Sequence, residues 1–454
     1  MKVTLRIASD RCLARNFFVI CLLVFALAFV SEAQDVTSKI SDYMNAQVKV
    51  NHFSGSILVA QHGKVLVKQR YVSATTGSSI AQTEMDGRYR VGSIAKQFIA
   101  AAILQLQEKN KLQLQDSVCK YIAKCPNGWQ EIKIFNLLVQ SDGIPEVNSA
   151  LDPQTGRPLN TTSGLLVYLA KRPLEFKPGE RFRYGNSGYA VLGAVIEKVS
   201  GEPYLEYLKN HIFVPSGMRE TGHDDAEKVV PVDLGKSGSI TPSDLESTAP
   251  YSWGRLYATV DDIYRWDRAL DSEELLSKNS VNAMFTPYVD GYGFGWVVLK
   301  EFDRTMDTTA GGIYLFPSAI RRYLADDVCV VVLSDSVNSD AGRISRDLAA
   351  IFFKKHYELP VEPQAVNLSP ATLNSYLGRY ELSSGLVLVV SKDENGLMIQ
   401  RSDEPKIKIF PESETRFFVK GLGTIINFVT GPQGSATRLV LQQGGREIPA
   451  PRIN

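Results

Sequence analysis

The chain is short of histidine and cysteine, the usual residues of metal centres, and carries almost no excess of charge of either sign. Its five histidines and five cysteines are scattered, with no His-Glu-x-x-His and no paired His/Cys spacing, so no metal or other cofactor is expected. Lysine and arginine number 50 against 49 acidic residues, a net charge of +1, which removes the basic footprint of a nucleic-acid binder. Internal repeats and low-complexity tracts are also missing. What remains is a chain of 454 residues, 44% of them hydrophobic, long enough to bury a large core and to form more than one domain.

The longest apolar run lies near the start. Lys2, Arg6, Arg11 and Arg15 precede "FFVICLLVFALAFV", and "SEA" follows with small residues where a signal peptidase reads. Residues 1–33 are therefore expected to be a signal peptide cleaved after Ala33. The run is shorter than the roughly 20 residues of a membrane span, which weighs against an uncleaved anchor. An exported protein, periplasmic or secreted and close to neutral, is the consequence.

Cys12 and Cys21 would leave with that segment. In an oxidising compartment Cys119 and Cys125 either bridge locally or stay as two thiols, and spacing alone does not decide between them. Cys329 lies in "VCVVVLSD", which reads as a buried strand where cysteine acts as a small hydrophobe.

Periodicity organises the rest. "GSILVAQHGKVLVKQRYV" alternates as two strands turning at His62-Gly63. Helical patterns dominate the middle, in "SIAKQFIAAAILQLQEKNKL", "NSGYAVLGAVIEKVSG" and "TVDDIYRWDRALDS". Strand patterns return at "YGFGWVVLK" and "RRYLADDVCVVVLSD", and a helix follows in "DAGRISRDLAAIFFKKHY". Strands at both ends of a helical middle predict an α+β fold whose antiparallel sheet joins the two termini of a domain spanning 34–357. The proline-bearing stretch 358–370 reads as a linker, and 371–454, with short β runs and turn signals, reads as a small all-β, barrel-like domain.

Two short patterns carry candidate chemistry. In "YRVGSIAKQFIAAAILQLQ", Ser93 precedes Lys96 at the head of an apolar helix. A helix-capping serine is one explanation, but a capping box wants Glu or Gln at Lys96, and a cation in the first turn opposes the helix dipole. Residues three apart share a helix face, so a hydroxyl nucleophile and an amine base is the other explanation. The pattern alone is weak, since Ser117 and Lys120 repeat it. "RFRYGNSGYAVLGAVIEKVSG" places Tyr184 and Asn186 before a second helix, a phenol able to pass protons and an amide able to hold a carbonyl. A turn tyrosine and a capping asparagine are the bland alternative, and Tyr43-Met44-Asn45 matches the same spacing.

Taken in order, "YRVGSIAKQF" and "FRYGNSGYAVLGAVIEKVSG", with "LEFKPGERFRYGNSGY", "IFVPSGMRETG", "GRLYATVDDIYRWDRAL" and "YGFGW", resemble the serine β-lactamase-like family: the class C β-lactamases and their relatives among penicillin-binding proteins and esterases. The likeness spans nearly all of 35–357. "YLGRYE" and the hairpins after it resemble the small barrel-like module often attached to such hydrolases. The resemblance implies an antiparallel sheet flanked by helices with an all-helical insertion, and small-molecule or peptide substrates. It makes Ser93 the acylated nucleophile, Lys96 its general base, Tyr184 a proton relay and Asn186 a substrate-positioning residue.

The family's third motif is a Lys or His, a small residue and a glycine on the strand edging the site. Here "TTAGGIYLFPS" stands in its place, so Thr309, Ala310 and Gly311 replace it and the Gly312 amide becomes the second oxyanion donor. Lys236-Ser237-Gly238 and Ser141-Asp142-Gly143 imitate family motifs out of order and are set aside, the latter lying where relatives carry a His-Thr-Ser-Gly loop. Arg321 and Arg322 are read as solvated strand positions. A threonine offers only a neutral hydrogen bond where a cation would hold a carboxylate, so ester or amide hydrolysis of a neutral substrate leads. A β-lactamase or D,D-peptidase acting on peptidoglycan stem peptides, and a catalytically lapsed binding protein in contact with peptidoglycan, are the alternatives. Asn160-Thr161-Thr162 and Asn367-Leu368-Ser369 match glycosylation acceptors, which matter only in a eukaryotic secretory route.

Overall fold

A computed structural model describes residues 34–73, 87–146, 161–223, 256–313, 316–336, 338–382 and most of 387–453, with the pairs 232–233 and 239–240. Residues 1–33, expected to be a signal segment, and Lys236-Ser237-Gly238 and Asn160 lie outside the described residues.

Residues 34–51 form helix α1, which periodicity did not single out. The hairpin β1 (Gly55–Gln61) and β2 (Lys64–Tyr71) follows as expected. Short ladders pair β3 (Tyr89–Arg90) with β6 (Tyr257–Ala258), and β4 (Val232–Asp233) with β5 (Ser239–Ile240). Between β3 and the later strands run α2 (Ala95–Glu108), α3 (Ile134–Leu138), α4 (Thr162–Leu169), α5 (Ser187–Ser200), α6 (Tyr204–Leu208), α7 (Val260–Ala269) and α8 (Lys278–Met284). Then come β7 (Val297–Glu301), β8 (Arg304–Ile313), β9 (Phe316–Tyr323) and β10 (Val328–Ser334), and helix α9 (Ala341–Phe352).

The main sheet has the order β2-β1-β10-β9-β8-β7, every neighbouring pair antiparallel. Its first strands and its last thus come from opposite ends of the domain, as the sequence order implied. Side chains alternate across a strand, and the alternation divides the core. Ile57, Val59, Val330 and Val332 face α1 and α9, meeting Ile40, Ile344 and Leu348. Leu58, Ala60, Cys329, Val331 and Leu333 face the helical body, meeting Phe98, Val191 and Trp266. All seven residues of β10 are buried, which accounts for its unbroken apolar sequence.

Helix α2 is buried along nearly its whole length, Ala95 through Leu106, so its alanines let neighbouring helices approach. Cys119 and Cys125 are bridged, which decides the question the spacing left open. Arg321 and Arg322 correct the sequence expectation. Arg322 is 1% exposed and pairs with Asp267 and Asp271; Arg321 pairs with Glu301 at 2.7 Å and donates to Ser345 Oγ. Their charges serve the packing of β9 against α7 and α9 and not solvent.

Residues 355–369 carry no regular element. Beyond them eight strands, β11 (Gly378–Glu381) through β18 (Arg446–Ile453), close into a barrel. Its interior is filled by Tyr376, Tyr380, Phe417, Phe428 and aliphatic neighbours, a core separate from the other two.

Candidate active site

Ser93 sits in a single 3-10 turn, Gly92–Ile94, that runs directly into α2. The first residue before α2 is Ile94, and no side chain caps the helix. Ser93 is therefore not a capping serine. Its Oγ instead accepts a hydrogen bond from the Tyr184 hydroxyl at 2.6 Å and lies 3.3 Å from Lys96 Nζ.

Lys96 is fully buried, an expensive place for an amine unless its donors are satisfied. Nζ reaches Ser93 Oγ, the Tyr184 hydroxyl at 3.0 Å and Asn186 Oδ1 at 2.7 Å. It also lies 4.7 Å from the centre of the Tyr184 ring. Lys96 and Tyr184 are 88 residues apart in sequence, and the packing of α2 against α5 closes that distance. Asn186 is the residue just before α5, so Tyr184 and Asn186 project from the loop that enters the helix.

Three tyrosines surround this point, and burial separates their roles. Tyr189 and Tyr292 are buried, and burial holds both hydroxyls well above the ordinary phenol value, with the neighbouring Tyr184 raising Tyr292 further. Tyr184 is 45% exposed and alone among them touches Ser93.

Strand β8 runs beside the Ser93 turn. A Cβ on Gly311 would lie 2.8 Å from Ser93 N, so only glycine allows this approach. Ser318, opposite Gly311 on β9, donates to Val91 O at 2.9 Å and ties the sheet to the same turn. Gly312 follows on β8 and pairs with Pro317.

Thr309 departs from what its position suggested. It is buried, and its hydroxyl donates to Gly295 O and accepts from Gln97 Nε2, both at 2.9 Å. Gln97 in turn accepts from Trp266 Nε1 at 2.8 Å. The hydroxyl is committed to an interior network and is not offered to a substrate. The imitations of the motifs are structural. Ser117 caps a turn through Cys119 N and Lys120 pairs with Asp116, while Tyr43 is buried and donates to Asp347.

Sequence reasoning missed the loop beneath Asn186. Gln140 Oε1 accepts from Gly185 N at 2.9 Å, and Ser187 Oγ donates to Pro145 O at 2.7 Å. Glu146 accepts from Asn186 N at 2.7 Å and from Asn186 Nδ2 at 2.8 Å. Asp142 accepts from Ile144 N at 2.8 Å, and burial pushes its carboxyl up to about 7. The departure of "QSDGIPE" from the family loop was the only signal available for these residues. Among the described residues no His/Cys/Asp/Glu group is arranged to hold a metal.

A serine held between a buried lysine and a tyrosine, at the edge of an antiparallel sheet capped by helices, defines the β-lactamase/transpeptidase-like class. The chain belongs to the beta-lactamase family, whose model matches residues 38–352; residues 362–450 match a family described as a domain of unknown function, DUF3471. It is 25% identical to penicillin-binding protein 4* of Bacillus subtilis over 430 residues, 87% of this chain and 94% of that protein. Among solved structures it shares its fold with the octameric penicillin-binding protein homologue from Pyrococcus abyssi (TM-score 0.62, 24% identity, 91% of this chain and 99% of that one). It likewise shares the fold of the D-amino acid amidase from Ochrobactrum anthropi (TM-score 0.59, 16% identity, 71% and 99%). The protein is a serine hydrolase of this family, which acts on small-molecule or peptide substrates.

Proposed function

We propose that the protein is an exported hydrolase that cleaves esters or amides of uncharged acyl donors through an acyl-enzyme on Ser93. The observation that carries this reading is the buried Lys96 amine, which meets Ser93, Tyr184 and Asn186 at once. Lys96, as general base, takes the Ser93 proton while Oγ attacks the substrate carbonyl carbon. The carbonyl oxygen gains the negative charge and is held by the amides of Ser93 and Gly312. Tyr184 passes the proton to the leaving alcohol or amine as the carbon–heteroatom bond breaks, and then helps water take the reverse path to free the acid. In this reading Asn186 positions the acyl side of the substrate.

The preference for uncharged donors rests on β8 and β9. Thr309 turns inward, and the guanidiniums of Arg304, Arg321 and Arg322 are held by Asp326, Glu301 and Asp267. No cation on the described residues of these strands is free to hold a substrate carboxylate. A second reading, action on β-lactams or peptidoglycan stem peptides, draws on the likeness to penicillin-binding protein 4*.

Intact-mass measurement of residues 34–454 after exposure to a fluorophosphonate, and separately to a penicillin, tests both. A fluorophosphonate adduct lost in Ser93→Ala supports the hydrolase. A penicillin adduct at the same residue moves the substrate to the second reading. No adduct with either reagent leaves a binding protein on a lapsed catalytic fold. N-terminal sequencing of the chain released by a secreting host tests export, with Gln34 as the expected first residue.

A further inference from the structure

The loop 140–146 contains a carboxylate that neither the family motifs nor the proposed reaction uses. Glu146 accepts two hydrogen bonds from a single residue, one from the Asn186 backbone amide and one from its side-chain amide. On its other side the same Asn186 amide accepts from Lys96 Nζ at 2.7 Å. A carboxylate can only accept, and Lys96 Nζ donates on the opposite side. An asparagine amide between them therefore has one satisfactory orientation, with Nδ2 toward Glu146 and Oδ1 toward Lys96.

From this geometry we infer that Glu146 is a positioning residue, which locks the Asn186 amide so that its carbonyl faces Lys96 and aims the amine at Ser93. This inference rests on the proposed reaction for its kinetic consequence, though its geometry does not. Glu146 spans the backbone and the side chain of Asn186, so the side chain cannot rotate without breaking a charge-assisted bond. One Nδ2 hydrogen is thereby engaged, and the other is left for a substrate carbonyl.

Gly185 supplies an independent observation. A Cβ at that position would lie 2.4 Å from Glu146 Oε2. The small residue between Tyr184 and Asn186 is thus the space through which the carboxylate reaches its partner. The rest of the loop braces Glu146 in place: Gln140 holds Gly185 N, Ser187 holds Pro145 O, and Arg183 donates to Ile144 O.

The test compares Glu146→Ala, Asn186→Ala and the double variant, with Gly185→Ala as a second way of displacing the carboxylate. The wild type is first shown to form the Ser93 adduct. Glu146→Ala is expected to lower kcat on the order of tenfold with little change in KM, and the double variant to lose no more than Asn186→Ala alone, since both act through one amide. Glu146→Gln, which keeps an acceptor for Nδ2, is expected to recover part of the loss. Gly185→Ala is expected to mimic Glu146→Ala. Losses that multiply in the double variant, or a rise in KM with kcat unchanged, would overturn the assignment. Crystal structures of Glu146→Ala and Gly185→Ala give a readout that needs no turnover. Asn186 is expected to leave hydrogen-bond distance of Lys96, and an amide that stays on Lys96 in both variants refutes the positioning role even if the hydrolase reading itself has failed.

Discussion

At the scale of single residues, Lys96 and Thr309 show how burial assigns a part. A buried amine with three polar neighbours is costly to keep for packing, because an alanine would fill the helix start without burying a polar group. Lys96→Ala is expected to lower kcat/KM about 10²–10⁴-fold, the usual loss for a general base, with the melting temperature held or raised; ester turnover and a thermal melt check both. Thr309 is the reverse case. Thr309→Val keeps the shape but strands Gly295 O and Gln97 Nε2, so a loss of about 1–3 kcal/mol in unfolding free energy is expected, read by denaturant titration. Asp142 ties the same scale to pH. Its carboxyl is raised from 3.8 to about 7 by burial, so between those values the folded state binds the proton that the unfolded state releases. Its contribution therefore favours folding below about pH 4, is lost as pH rises toward 7, and stays lost above. Asp142→Asn is expected to flatten that part of the stability profile, measured as melting temperature from pH 4 to 8.

Elements translate such residues into a site. Helix α2 carries Lys96, and the 3-10 turn before it carries Ser93, so their meeting is local and follows from their spacing. Strand β8 reaches that turn only because Gly311 has no side chain. Gly311→Ala is expected to keep the fold, push β8 away from Ser93 and lower kcat/KM more than it lowers stability, a split read by kinetics beside a melt. The patterns of α7 and α9 were legible because one face of each meets a core, those of α2 and α5 because their apolar runs are buried nearly throughout, and the β1–β2 hairpin because His62-Gly63 separates two strand-like runs. Helix α1 was not, although Ile40, Tyr43 and Met44 are buried in it. The long β8 was legible only through the resemblance, since its sequence "RTMDTTAGGI" alternates weakly.

Across the whole molecule, the catalytic body and the barrel keep separate cores. A barrel lined by Tyr376, Tyr380, Phe417 and Phe428, with its edges closed, has what an independent fold requires. Residues 362–454 expressed alone are expected to give a cooperative thermal transition and a β-rich circular dichroism spectrum; an unfolded fragment would show that the barrel needs the catalytic body.

The sequence by itself determined what depends on neighbours along the chain. The three-residue step from Ser93 to Lys96, the tyrosine and asparagine before α5, the β1–β2 hairpin, the apolar run of β10 and the turn-rich barrel all follow from local periodicity and local stereochemistry. Only the tertiary structure decided what depends on residues far apart. It turned the Thr309 hydroxyl inward, buried Arg322 against Asp267 and brought Glu146 onto Asn186. The direction of a side chain on a strand, and the partner of a buried charge, are set by whatever packs against them from elsewhere in the chain, and that information is not written in any single stretch of sequence.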